Sequence, residues 1–440
     1  MEQKRQIICG FRRSFRWLLI FCFTPVLLHG KSLAHNCKAS TGFEQKIKAY
    51  PSSAAYDSLA RYFAGREDYA CAISALRSSL RLSPNSIDTR YDLALALLAS
   101  GDTRNAADLL RALLKQNPDL TKVHMSLGVA LSELHQTDAA IDEFNAVLEA
   151  DPRSILALDW LSKALLSEHR YSSAIAMLTT GPADEVLQMD LVMAYSKSGD
   201  NGRAIQLLAQ MIKDHPTSEP IHSALATVYA QQHRYQEAAN EFEEALRFNP
   251  QDDVARASYV KVLMSLGDFQ TALPIARELL RRNPDKFEAN YLTGAIDRNL
   301  GNYSDAKALL TKAIRLNPKD YDARFNLGVA LEKWGQVRAA REQLEKAVQL
   351  DPSASEAHFE LAAVYRSLSL QDEANNQFAL YRSAINDSAN RDQAVSKANQ
   401  AKALLQSGKA SEAADLYRDA VQHDPKQPQI FYDLAMALDR

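Results

Sequence analysis

An alanine followed twelve residues later by a proline recurs through almost the whole chain, and this mark constrains the fold more than anything else in it. The pair reads Ala72…Pro84, Ala106…Pro118, Ala140…Pro152, Ala204…Pro216, Ala238…Pro250, Ala272…Pro284, Ala306…Pro318 and Ala340…Pro352. Successive marks lie 34 residues apart, with two slips. Ala174 is followed by Pro182 after eight residues and by Ala204 after 30; Ala374 to Ala413 is 39, and Ala413 pairs again with Pro425. A fixed period of this size means stacked supersecondary units, each leaning on its neighbours, in place of one central core. The 440 residues therefore do not divide by the usual length prior of about 150 residues per domain.

The period has internal order. Counted from Tyr321, position 7 is Leu327, position 8 Gly328, position 11 Leu331, position 15 Gly335, position 20 Ala340, position 24 Leu344, position 27 Ala347 and position 32 Pro352. Apolar steps of three and four predict helices throughout and no strands. Position 15 (Gly101, Gly199, Gly267, Gly301, Gly335) is where a first helix must end and the chain reverse. Proline at position 32 stops a second helix, because it offers no N–H and clashes with the preceding turn. Alanine at position 20 is small enough to let the two helices of a pair approach closely.

This pattern resembles the tetratricopeptide repeat family. Leu327-Gly328, Leu331, Ala340, Leu344, Ala347 and Pro352 carry the likeness, with Tyr69, Tyr171, Tyr235, Phe269 and Tyr303 after the turn. It extends over roughly residues 43–440. Position 4 departs from the family's Trp: from residue 87 on it holds Arg, His, Leu, Gln, Asn, Lys or Phe. The resemblance implies an all-α, right-handed superhelical solenoid of stacked antiparallel helix pairs.

The period sets the expected organisation. Residues 43–51 read as the end of a second helix, so 35–52 form a tail and half-repeat cap. Full repeats start near 53, 87, 121, 155, 185, 219, 253, 287, 321, 355 and 394. The expected blocks are 53–182, whose last repeat is four residues short in its second helix, then 183–388, then 389–440. Near Asn386-Asp387-Ser388 no proline stops the helix, so either a longer helix or a loop displaces the last repeat. In the final helix, Phe431, Leu434, Ala435 and Leu438 are expected to pack, with Tyr432 and Met436 pointing elsewhere.

Residues 1–34 stand outside the repeat. Lys4, Arg5, Arg12, Arg13 and Arg16 precede an apolar run from Trp17 to Leu28, and Ser32-Leu33-Ala34 places small residues where a signal peptidase cuts. This reads as an export signal; the alternative is a retained anchor at residues 17–29. Residues 1–34 hold six Lys/Arg and one Glu, so the remainder carries a formal charge of −8 against −3 for the whole. An acidic chain argues against a nucleic-acid partner. Cys9 and Cys22 fall in the signal. Cys37 and Cys71 remain as a candidate disulfide or as two free thiols.

No HExxH, GxSxG, CxxC or phosphate-cradling glycine loop appears, so an enzyme is not expected, nor a cofactor or a metal. His124, His222 and His358 share position 4, and His135, His169 and His233 fall at the turn, which marks them as structural. The resemblance implies a concave surface lined by positions 2, 5, 9, 12 and 13 of the first helices. Position 5 supplies Tyr91, Met125, Met189, Tyr291, Phe325 and Phe359, and position 9 supplies Leu95, Val129, Met193 and Val329. Tyr291, Phe325 and Phe359 follow one another at 34-residue spacing. Aromatic anchors dominate interfaces, so this surface is the expected site for a protein or peptide partner. Position 5 holds no Lys or Arg, which argues against clamping the carboxylate tails of chaperones. The expectation is an exported, non-enzymatic scaffold, periplasmic or secreted. The alternative is an accessory subunit of a cell-envelope enzyme or assembly machine, docking through its last helix.

Overall fold

The computed structural model describes Cys37, Gln45, Ile47 and residues 49–439. The expected export signal at 1–34 and most of the half-repeat cap lie outside the described residues. Within that cap Gln45, Ile47 and Ala49 are helical. From Ser53 on, the described chain folds into 22 helices, with no strand. It divides into two compact units at Leu187/Gln188.

The first unit contains four helix pairs: α1 Ser53–Ala64 with α2 Tyr69–Leu82, α3 Ile87–Ala99 with α4 Thr103–Gln116, α5 Thr121–Glu133 with α6 Thr137–Ala150, and α7 Ile155–Ser167 with α8 Tyr171–Thr180. α8 has 10 residues where α2, α4 and α6 each have 14, so the four-residue deletion is one turn taken from a second helix. α9, Glu185–Lys197, spans the division.

The second unit continues with α10 Asn201–Asp214, then α11 Glu219–Gln231 and α12 Tyr235–Phe248, α13 Asp253–Ser265 and α14 Phe269–Arg282, and α15 Phe287–Asn299 and α16 Tyr303–Leu316. α17 Tyr321–Lys333 and α18 Val337–Leu350 follow, then α19 Ser355–Ser367, α20 Gln371–Gln406, α21 Ala410–His423 and α22 Pro428–Leu438. First helices start where the period places them, at 53, 87, 121, 155, 185, 219, 253, 287, 321 and 355. No helix starts at 394. α20 runs unbroken for 36 residues, fusing a second helix to the next first helix. Of the two sequence alternatives this is the longer helix, and its cause is the missing stop proline. Among the described residues no helix is long and apolar enough to cross a membrane.

The turn inside each pair is built on one backbone conformation. Position 15 has positive φ whatever its residue: +84° at Gly101 and +79° at Gly335, but also +57° at His135, +56° at His169 and +61° at Ser369. The next N–H reaches back to the carbonyl five residues earlier, as in Asp102 to Leu97 at 2.9 Å and Gln336 to Leu331 at 2.8 Å. That bond closes a Schellman motif and satisfies the open carbonyls of the first helix. Asp and Ser caps open others, with Asp268 accepting from Thr271 N and Asp320 from Ala323 N.

Packing follows the same register. Every position-20 alanine from Ala72 to Ala413 is fully buried. Position 8 is glycine in three repeats, where it lies against the large position-24 side chain of the second helix. A Cβ on Gly328 would lie 2.6 Å from Leu344 Cγ, and one on Gly128 would lie 2.5 Å from the Phe144 ring. Cys37 and Cys71 are disulfide-bonded with Cα atoms 5.5 Å apart, and the Cys71 side chain is buried among the first pair.

The last helix corrects one expectation. In α22, Ile430 and Ala437 are buried and Leu434 is half-buried, whereas Phe431, Ala435 and Leu438 are exposed. Ile430, Leu434 and Ala437 occupy positions 3, 7 and 10, which pack on the preceding pair. Phe431, Ala435 and Leu438 occupy positions 4, 8 and 11, which elsewhere meet a second helix of the same repeat. No such helix follows α22 among the described residues.

Candidate functional site: the first-helix face

First helices of successive repeats touch one another: α3 with α5 and α5 with α7 in the first unit, and α11 through α13, α15 and α17 to α19 in the second. In each unit they thus form a continuous layer, with the second helices behind it. The chain returns to this layer every 34 residues, so equal repeat positions line up along it.

Position 4 explains why the family's aromatic is absent. Arg90 Nε, Arg256 Nη2, Asn290 Nδ2 and Arg324 Nε each donate to the carbonyl of the proline six residues earlier, and an imidazole nitrogen of His124, His222 and His358 contacts the same carbonyl. The other imidazole nitrogen meets the second helix, at Glu143, Glu241 and Gln377 respectively. These histidines therefore tie the inter-repeat turn to the pair that follows it. A polar side chain here satisfies a carbonyl that a helix stop would leave open. The sequence placed the histidines at a packing position; the carbonyl partner was not legible without coordinates.

In the first unit the face is polar around its aromatic. The Tyr91 hydroxyl lies 3.0 Å from Ser126 Oγ and 3.3 Å from the Lys122 carbonyl, both one repeat on. Lys122 Nζ stands 4.7 Å above the Tyr91 ring and 2.9 Å from Asp88. Burial holds the Asp92 carboxyl above the usual carboxylate range, with Arg61 opposing that shift. Met125 and Leu95 are half-buried beside it.

In the second unit Met189 is half-buried and Met193 is 51% exposed. Tyr291 packs on the cores of both the repeat before it and the repeat after it. Its hydroxyl lies near Asn326, one repeat on, as Ser126 is from Tyr91. Burial, with Asp322 and Asp320 adding, pushes that hydroxyl up to about 12. The three aromatics do not stack on one another across repeats. Tyr291 stacks on Phe287 at 5.7 Å, Phe325 on Tyr321 at 5.8 Å, and Phe359, 44% exposed, leans on Phe378 and Tyr381 of α20. The i, i+4 partners Phe287 and Tyr321 were visible in the sequence and were not counted there.

Val129 and Val329 are corrected: both are buried at 8% exposure and add nothing to an open surface. A short β-branched side chain stays near its own helix, where the adjoining first helix covers it. Farther along the face, Arg298 at position 12 is half-buried beside Glu360, whose carboxyl is held up by burial. Lys333 pairs with Glu332 at 3.1 Å.

Family models described as tetratricopeptide repeat match residues 91–155 and 399–440, and residues 165–228, 195–258, 229–296 and 299–364. No curated protein matches the sequence. Among solved structures, a MamA fragment (residue 41 to the end) from Desulfovibrio magneticus RS-1 is 23% identical, with 38% of this chain and 94% of that one covered and a TM-score of 0.36. YrrB, described as a TPR protein with an unusual peptide-binding site, is 22% identical over 42% of this chain and 95% of that one, with a TM-score of 0.37. The APC/C hetero-tetramer Cut9–Hcn1 is 16% identical over 90% of this chain and 92% of that one, with a TM-score of 0.38. The recurrent turn, the buried position-20 alanine and the family matches over most of the repeat region lead to one conclusion: the chain belongs to the tetratricopeptide repeat family.

Proposed function

We propose that the chain is an exported, non-enzymatic scaffold that binds peptide or protein segments along the concave first-helix faces of its repeats. The family supports protein–protein interaction. The observation that carries the finer reading is the set of apolar side chains left open on the first helices of the second unit, Met193 at 51% and Phe359 at 44% exposure. Each stands at a repeat position on a first helix, where an exposed apolar or aromatic side chain can anchor a bound segment. Export rests on the basic and apolar pattern of residues 1–34 and on a cysteine pair suited to an oxidising compartment.

A second reading has its own observation. Phe431 and Leu438 are 45% and 57% exposed on α22, so an accessory subunit docking through its last helix fits as well. Affinity capture from the cell envelope separates the two, using the wild type, a Met193→Ala/Phe359→Ala variant and a 428–440 deletion. Groove binding predicts that the double variant loses the captured partner while its circular dichroism stays unchanged. Loss on the deletion alone supports docking through the last helix and ends the groove reading. Fractionation showing the full chain in the cytosol overturns export.

A further inference from the structure

Within the groove reading, on which this inference rests, the chemistry of the ligand is legible. We propose that the first-helix face of residues 287–367 takes a segment combining lysine or arginine with apolar side chains. Its apolar groups lie on the aromatic pairs, and its cationic heads meet Asp322 and Glu356.

Two observations meet there. The first is geometric. Phe287 with Tyr291, and Tyr321 with Phe325, are parallel ring pairs inclined by 5° and 10°. They sit on adjoining first helices at the same two repeat positions. A ring face carries negative charge density and attracts cations, and the long stems of Lys and Arg cover apolar surface while keeping the head in water.

The second is the row of carboxylates at position 2, all exposed: Glu288 and Asp322 directly follow the first ring of a pair, and Glu356 holds the same place, after Ser355, on the next first helix. Lys261 neutralises Glu288 at 2.5 Å. Among the described residues no lysine or arginine pairs with Asp322 or Glu356. Asp320 and Asp351 add negative charge beside them, each capping a backbone N–H at 2.8 and 2.9 Å. Although Asp322 is exposed as a residue, partial desolvation of its carboxyl and the charge of Asp320 hold it above the usual carboxylate range. On the first helices of this stretch Arg298, Lys333 and Arg366 lie two to three turns away, near Glu360, Glu332 and Phe378, and Arg324, two residues after Asp322, is turned to the Pro318 carbonyl and Gln343. The aromatic end of the face therefore presents carboxylates without a direct ion pair, an arrangement that favours cationic partners over acidic ones.

Fluorescence anisotropy on the full chain tests this with three labelled peptides of one length: alternating Lys and Leu, Glu in place of Lys, and Ser in place of Lys. The Lys/Leu peptide should bind tightest, lose affinity with added salt, and outcompete the Glu/Leu peptide. Replacing Asp322→Asn and Glu356→Gln together should weaken Lys/Leu binding roughly tenfold and leave Ser/Leu binding unchanged. Phe325→Ala should weaken both. Equal or tighter binding of Glu/Leu, or Lys/Leu binding untouched by the carboxamide pair, overturns the charge assignment. If Phe325→Ala still weakens the peptides in that case, the groove reading survives. If no peptide binds, the proposal falls, and Phe325→Ala leaving partner capture intact would take the groove reading with it.

Discussion

Position 15 shows how one backbone angle outranks side-chain chemistry. Five non-glycine residues, Glu67, His135, His169, His233 and Ser369, hold a left-handed φ that glycine adopts without strain. His169 and His233 recover part of the cost through Nδ1 to the hydroxyls of Tyr171 and Tyr235 at 2.6 and 2.8 Å; Thr137 occupies the equivalent place after His135. His135→Gly should therefore stabilise the chain by about 1 kcal/mol, and His233→Gly by less, as read from denaturant midpoints. Gly328→Ala should act in the opposite sense. The added methyl meets Leu344 Cγ at 2.6 Å, a branch point that cannot swing aside, so a loss of ~1–3 kcal/mol is expected despite the gain in helix propensity. The sequence identified position 15 as the turn because glycine occurs there often enough. It could not show that the histidines at that position share glycine's backbone angle.

At the scale of elements, nearly every helix start was legible, because proline, glycine and the alanine mark repeat in register. Legibility failed where a breaker is missing. α20 has no stop proline and no left-handed residue between Gln371 and Gln406, so nothing local told the reader whether a loop or a helix filled the gap. Its middle is an isolated helix: residues 385–393 are exposed throughout, and burial resumes at Ala394 and Ala401 against α21. Helices without tertiary cover are marginal. Amide hydrogen exchange at 385–393 should therefore run faster than in α17, and equal protection would contradict this account. Ser388→Pro should destroy the exposed segment while leaving the exchange of α15 to α18 unaltered. The packing side of α22 was misread for a related reason. A first helix offers two apolar faces, and among the described residues α22 has only the preceding pair to pack on.

For the whole molecule, the period fixes architecture, whereas the partner is written in side chains that the period does not constrain. Tyr291, Phe325 and Phe359 lie on first helices at their 34-residue spacing, yet Val129 and Val329 proved buried, Tyr291 and Phe325 stack on rings of their own helices, and Phe359 leans on α20. Exposure depends on side-chain length and on neighbouring helices, neither of which spacing alone encodes. Stability in such a stack is a sum over neighbours. Removing the fully buried Phe144 ring with Phe144→Ala should cost about 3–5 kcal/mol. By exchange, that loss should be concentrated in α5 to α7 and fade within the next repeat. The account's central claim is that partners lie on the first-helix layer, and site-specific photo-crosslinking tests it most directly. A photoreactive residue in place of Phe359 on α19 should capture the partner, and the same probe in place of the exposed Glu342 on α18 should not. Capture from Glu342 with none from Phe359 would contradict it.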